Sequence, residues 1–140
     1  MASTFREPTA DELAVYEHAR SAADNAYVPY SNFRVGAALR FADGEIVTGC
    51  NVENAAYSMC ICAERTAFVR AIAEGRDPKS IELVTVHVDG PDGSPCGACR
   101  QFMVEFVPDA TVVFYERGLL VASTVSGLLP GAFVPEALNL

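Results

Sequence analysis

The 140-residue sequence predicts a single α/β domain, residues 1–140, in which helices cover the faces of a mixed five-stranded sheet. Three observations carry that prediction. Apolar stretches of strand length alternate with stretches of helical spacing, in the order αββαβαββα. Ile81 to Val88 is a nearly continuous apolar run, as expected of a strand covered on both faces. Only Glu116, Arg117 and Gly118 separate the last two strand segments, too few for a crossover, so those two strands pair antiparallel.

The elements follow from local chemistry. Thr9 and Glu12 form a capping box, and Asp11 adds negative charge to the first helical turn. Leu13, Tyr16, Ala19 or Arg20, Ala23 and Tyr27 recur at helical spacing and carry this helix to about Asn25, with His18 as a solvated surface side chain. Val28 to Phe33, with Pro29, breaks the helix. Arg34 to Phe41 reads as a strand, Asp43-Gly44 as a turn, and Ile46 to Val52 as the antiparallel return. A polar loop over 51–61 leads to a helix from Ala63 to about Glu74, marked by Ala67, Phe68, Ala71 and Ile72 and closed by Gly75. His87 lies in the apolar strand and is expected to hold an ordinary hydrogen-bond partner. A loop over 90–94 precedes a helix from about Gly97 to Phe106. Strands over Thr111–Tyr115 and Leu119–Ser123 and a short terminal helix, Val125–Leu129, complete the order.

Composition narrows the function. A hydrophobic share of 51% and a charged share of 20% describe a compact globular protein. The formal net charge is −8 and the ten Lys and Arg residues are scattered, which argues against nucleic acid and for a small-molecule ligand. Met1 to Asp11 is polar, unlike a signal peptide, and no apolar run approaches the roughly 18 residues that cross a bilayer. Five cysteines, an odd and clustered count, suit a reducing cytosol and metal ligation better than a disulfide framework. A soluble cytoplasmic protein without a membrane partner is expected.

Two stretches carry the chemistry: Cys62-Ala63-Glu64-Arg65 and Pro95-Cys96-Gly97-Ala98-Cys99. A catalytic zinc keeps three protein ligands and leaves its fourth position to water. Cys62, Cys96 and Cys99 supply three, and Glu64 stands two residues from the first, placed to accept a proton. Other readings fit the same residues: a structural four-cysteine site using Cys50 or Cys60, a redox dithiol at Cys96 and Cys99, and Glu64 as a simple first-turn acid. The redox reading leaves Cys62 and its acid unexplained. Cys60 would have to converge on the metal from only two residues before Cys62. Both stretches enter helices, whose starts stabilise thiolates. Three thiolates on Zn²⁺ leave the centre at −1, so a compensating cation is expected, Arg65 ahead of Arg100.

Several motifs, spread over nearly the whole chain, resemble those of the small, three-cysteine, homotetrameric cytidine deaminases. They are Tyr27-Val28-Pro29-Tyr30-Ser31, Phe33 to Ala38, Gly49 to Tyr57, Cys62 to Ala67, Ser94 to Gln101 and Leu128 to Phe133. Zinc deaminases share three His/Cys ligands, a non-ligating Glu and Pro-Cys-x-x-Cys. The resemblance implies a three-layer cytidine-deaminase-like fold and one zinc ion per chain on Cys62, Cys96 and Cys99. Glu64 would shuttle protons to N3 and to the leaving amine as water adds at C4. The reaction it implies is hydrolysis of cytidine and deoxycytidine to uridine and deoxyuridine plus ammonia, as in pyrimidine salvage. Phe33 matches the ring against the base, the Ala63 N–H a contact to the pyrimidine carbonyl, and Asn51 and Glu53 the ribose-binding pair. Arg65 matches the residue bonded to the ligand thiolates. Tyr57 and Phe133 match residues that enter a neighbouring subunit's site, which implies a homotetramer with shared active sites. Cys50 and Cys60 match no ligand.

Three other functions share the zinc core. A blasticidin S-type deaminase also carries Cys-Ala-Glu, but Asn51-x-Glu53 suits an unmodified ribose. A catalytically silent, zinc-stabilised binding module is opposed by the presence of Glu64. Polynucleotide cytosine deaminases are opposed by the acidic charge and by the terminal hairpin.

Overall fold

The structure, a computed structural model, describes residues 5–138. The capping box forms as expected. Glu12 N donates to Thr9 Oγ1 at 3.2 Å and Thr9 N to Glu12 Oε1 at 2.9 Å, opening helix α1, Ala10–Ala22, which continues as a 3₁₀ turn to Asn25. Strands β1 (Val35–Phe41) and β2 (Ile46–Cys50) make the first hairpin. Helix α2 (Ala63–Ala73) ends in a Schellman motif: Gly75, at φ +85°, and Arg76 donate to Ile72 O and Ala71 O. Then come β3 (Ile81–Val88), α3 (Gly97–Val104), β4 (Thr111–Glu116) and β5 (Leu119–Thr124).

The five strands lie in the order β2-β1-β3-β4-β5. Only β3 and β4 run parallel, and the chain between them makes its crossover through α3. The pair β4–β5 is antiparallel, turned by Arg117 and Gly118 at φ +51° and +80°, as a two-residue loop between twisted strands demands. β3 sits at the centre and is buried at every position but Glu82. His87, within it, lies 2.5 Å from the Tyr16 hydroxyl through Nδ1 and 3.0 Å from Asp89 through Nε2.

Alternation along the strands divides the core into two layers. Ala38, Leu83, Val113 and Ala122 face Val15, Tyr16 and Ala19 of α1. Leu39, Val84, Val86 and Val112 face Ala67, Phe68 and Met103 of α2 and α3. The helices lie so close that two strand positions admit no side chain. A Cβ on Gly36 would stand 1.9 Å from Ala19 O, and one on Gly49 2.4 Å from Ala67 N, backbone atoms that cannot give way. Helix α2, and with it the start that carries Cys62, is therefore seated by Gly49.

Some boundaries differ from the sequence reading. The terminal helix over Val125–Leu129 is one 3₁₀ turn, Ser126–Leu128, and a further 3₁₀ turn spans Pro135–Leu138. α3 stops at Val104 and not Phe106. β2 stops at Cys50, because beyond it the backbone changes partners: Val52 bridges Tyr27 and Ile61. On α1 the buried face is Val15, Tyr16, Ala19 and Ala22, while Leu13 is 39% exposed and Tyr27 57%. The sheet selects small residues where α1 meets Gly36, a preference that apolar spacing does not carry.

The edge of β5 is covered by the N-terminal segment, where Arg6 and Ala122 exchange backbone hydrogen bonds of 3.0 and 2.8 Å. The Arg6 guanidinium grips both oxygens of the buried Glu12 carboxylate at 2.8 Å. These hydrogen bonds hold the Glu12 carboxyl below its ordinary value against the opposing effect of burial. A group depressed in the folded state contributes stability above its unfolded pKa and loses it as pH falls through the folded value. Glu12→Gln is therefore expected to cost about 1–2 kcal/mol at pH 7, the figure kept low because Arg6 is half-exposed. Urea titrations across pH should show the gap between the two proteins closing below about pH 4.

Candidate metal centre and its pocket

Cys62 is the N-cap of α2 and Cys96 the N-cap of α3, both with extended backbone, and Cys99 lies buried in the first turn of α3. Two helix starts thus point at one spot, each with unpaired N–H groups and a positive dipole end. Cys96 Sγ already accepts from Cys99 N at 3.4 Å. The Sγ atoms of Cys62 and Cys96, 34 residues apart in sequence, stand 3.7 Å apart, and all three sulfurs lie within 4.8 Å of one another. Cys60 and Cys50 are not in this group. Cys60 Sγ instead accepts from Asn54 N at 3.3 Å, and burial raises the Cys50 thiol.

The donor set fits zinc. A tetrahedral centre with zinc–sulfur bonds of about 2.3 Å spaces its sulfurs about 3.8 Å apart, close to the separation of Cys62 and Cys96. The thiols also divide their charge unevenly. The hydrogen bond with Cys99, helped by Arg65 and opposed by burial, pulls the Cys62 thiol down to about 5. Cys99 moves the opposite way, raised first by its hydrogen bond to Cys62 and then by burial. One thiolate forms readily and resists the next, an opposition that a bound dication removes. The expected cation is in place: Arg65 Nη2 donates to Cys62 Sγ at 3.6 Å. Its buried Nε has no hydrogen-bond partner among the described residues, so a donor remains beside the sulfurs.

Next to the thiols opens a pocket of about 290 Å³, small enough for a small-molecule ligand. It lies at the carboxyl end of β3, where Val86 and Val88 line it, the usual crevice of a sheet with parallel strands. Glu64 lines it too, on the first turn of α2 and only 4% exposed. Burial, with the nearby Cys62 charge, raises the Glu64 carboxyl to about 7, against the effect of its own backbone N–H. Phe33 forms an exposed apolar wall and Ala63 a buried one. The charged residues of the lining are Glu53, Glu64 and Asp92, and it includes no Lys or Arg.

Asn51 and Glu53 line the pocket but are also tied to their own chain. Asn51 Oδ1 accepts from Val35 N at 2.9 Å and its Nδ2 donates to Phe33 O at 2.8 Å. The Glu53 carboxylate accepts from the backbone of Tyr30 and Ser31 and from the Ser31 hydroxyl. The pair lies beyond the end of β2 and not within it, held by the bridges of Val52. Tyr57 and Phe133 do not line this pocket. Tyr57 is 72% exposed, its ring 5.9 Å from that of Tyr30, and Phe133 is 61% exposed with its carbonyl bound by Gln101. Sequence reasoning missed Val86, Val88 and Asp92. The apolar run over 81–88 reads as core throughout and does not tell which end meets a cavity. Asp92 is aimed by a hydrogen bond from Arg117 N, 25 residues away.

Three comparisons bear on this site. Residues 9–116 match the family described as the cytidine and deoxycytidylate deaminase zinc-binding region. Among curated proteins, the cytidine deaminase of Sporosarcina psychrophila is 48% identical over 122 residues, covering 86% of this chain and 89% of that protein. That of Halalkalibacterium halodurans is 45% identical over 131 residues, 92% and 98% of the two chains. The crystal structure of cytidine deaminase from Burkholderia pseudomallei matches with a TM-score of 0.82 at 44% identity, over 90% of this chain and all of that one.

The purified protein is expected to carry about one zinc per chain. Cys99→Ala should drop the zinc content, read by metal analysis after dialysis, to a small fraction, whereas Cys60→Ala should leave it unchanged.

Proposed function

The chain belongs to the cytidine and deoxycytidylate deaminase family, and from that premise we propose that it hydrolyses cytidine and deoxycytidine to uridine and deoxyuridine plus ammonia. The observation that carries the reading is the meeting of three thiols beside one pocket, whose wall includes Cys62, Cys96 and the buried Glu64 carboxylate. Zinc on Cys62, Cys96 and Cys99 supplies there the Lewis acidity that makes a water acidic near neutral pH.

The rest is done by side chains. Glu64 takes a proton from the attacking water and delivers protons to N3 and then to the amino group leaving C4. Phe33 packs against the pyrimidine, and the Ala63 N–H, at the start of α2, holds the ring carbonyl. Arg65 offsets the charge of the thiolates. Asn51 and Glu53 take the ribose hydroxyls with the donor and acceptor capacity that their internal hydrogen bonds leave over. A lining with acidic residues and no Lys or Arg favours a neutral nucleoside over its phosphate ester.

Assembly and setting extend the proposal. Tyr57 and Phe133, exposed and outside the pocket of their own chain, are supplied to neighbouring sites in a homotetramer. The sheet and both core layers draw on residues from α1 to the 3₁₀ turn at Ser126–Leu128, which supports a single deaminase domain. Five free thiols suit the cytoplasm, and recovery of uracil nucleosides suits pyrimidine salvage. Among the described residues, no helix is long and apolar enough to cross a membrane.

Cytidine absorbance is followed on adding zinc-loaded protein, with deoxycytidine, cytidine 5′-phosphate, free cytosine and cytosine-containing single-stranded DNA in parallel. Loss of signal with the two nucleosides alone is expected, and none with either would overturn the reading. Glu64→Gln should keep its zinc and fold yet lose at least about 10²-fold in turnover. Phe133→Ala should lower activity in an oligomer that sediments as the parent does. Unchanged kinetics there would remove the shared-site assignment.

A further inference from the structure

Arg100 follows the last thiol, and its charge made it a candidate partner for the sulfurs. Its guanidinium binds oxygen instead. Nε donates to Pro95 O at 2.8 Å, Nη2 to Ser94 Oγ at 2.5 Å and Nη1 to Leu128 O at 2.8 Å. None of these acceptors is a carboxylate, so the contacts form no ion pair. They gather the two residues before Cys96 and a point beyond β5 onto the first turns of α3. The next residue does the same further along: Gln101 Nε2 donates to Phe133 O at 2.7 Å.

The position of these contacts gives them a consequence for the thiols. Pro95 O belongs to the peptide that enters Cys96, so fixing that plane fixes the start of the Cys96 cap. Cys96 holds φ −66° and ψ 164°, the extended cap conformation that turns its sulfur to the Cys99 N–H and to Cys62 Sγ. Cys99 needs no such help, because it is buried within the helix itself. Cys96 is the exposed member of the set and sits at the end of a loop with little regular structure. Of the three ligands it has the most freedom to lose when a metal binds.

We infer that Arg100 is a positioning residue for the metal centre: by clamping Ser94 and Pro95 to the segment at Leu128, it holds Cys96 in its ligating position before zinc arrives. The inference rests on the zinc reading of Cys62, Cys96 and Cys99. It also explains why a planar fork with donors in three directions stands here, since a lysine ammonium on its flexible stem cannot hold the same three acceptors at once. A residue that merely braced the loop would stabilise the zinc-free and zinc-loaded forms alike. A residue that preorganises a ligand acts on affinity, because its loss makes metal binding order the loop.

The test is competition for zinc between a chromophoric chelator and the full-length parent, Arg100→Lys and Ser94→Ala proteins, with thermal unfolding of each in zinc-free and zinc-loaded form. Arg100→Lys should weaken zinc affinity by about 10–100-fold, the usual cost of losing support behind a metal ligand. Ser94→Ala, which removes one of the three contacts, should move the same way by less. In both, the rise in Tm on adding zinc should shrink relative to the parent. Affinities within about twofold of the parent in both variants, with Tm lowered equally with and without metal, would overturn the inference. If Arg100→Lys fails to fold, Ser94→Ala decides alone, and an unchanged affinity there overturns it. A parent that binds no zinc would remove the metal reading itself, an outcome distinct from a variant that binds as the parent does.

Discussion

Like charges held within a few ångströms of one another in a half-buried site repel, and the surroundings of Cys62, Cys96 and Cys99 counter that repulsion. With the sulfurs inside 4.8 Å, the first thiolate forms easily and pushes the next one up. Two helix starts and the Arg65 guanidinium each offset part of the charge, and a bound dication would offset more of it. Most of the architecture reads as the means of bringing those helix starts to one point. Gly49 lets α2 sit against the sheet backbone, and the crossover from β3 to β4 brings the start of α3 to the same end.

That end is the carboxyl side of the parallel pair, so the pocket and the metal ligands share a location for a topological reason. The residues around it are firmly tied. Asn51 and Glu53 each bond the backbone of the 30–35 segment, and the backbone of 51–53 is clamped between Tyr27 and Ile61. Polar groups on the pocket wall are thereby placed before any ligand enters, which reduces the ordering cost of binding. The wall formed by Gly93 and Ser94 is pinned in turn, through Gly93 N to Tyr115 O and through Arg100 to Ser94. The site is built on braced loops, most of whose anchors are backbone atoms.

Local chemistry made much of this legible. The capping box, the Asp-Gly turn, the glycine after α2 and the apolar run of β3 act over a few residues, and each formed where expected, while the expected three-residue link between β4 and β5 closes on Arg117 and Gly118 alone. Errors gathered where a distant partner decides. The spacing after β5 predicts a helix, but the backbone there bonds instead to Pro108 and Ala110 and leaves only a 3₁₀ turn. Leu13 matched the helical period, yet the sheet takes alanines at the closest approach of α1. Arg65 and Arg100 each stand one residue after a functional group, and sequence distance gives no means of telling which reaches sulfur.

The sequence by itself determined the ligand types, the three-residue spacing that puts Cys96 and Cys99 on one helical turn, and the acid beside Cys62, because an α-helix converts short spacing directly into geometry. The motifs it shares with known deaminases carried the family as well. Tertiary structure alone decided that Cys62 meets a pair 34 residues away, that Glu64 is buried, and that Asn51 and Glu53 serve both loop and pocket. It also decided that Arg65 faces the sulfurs while Arg100 clamps the chain behind them. These depend on sheet order and on backbone approaches at Gly36 and Gly49, which long-range packing sets and local spacing does not encode.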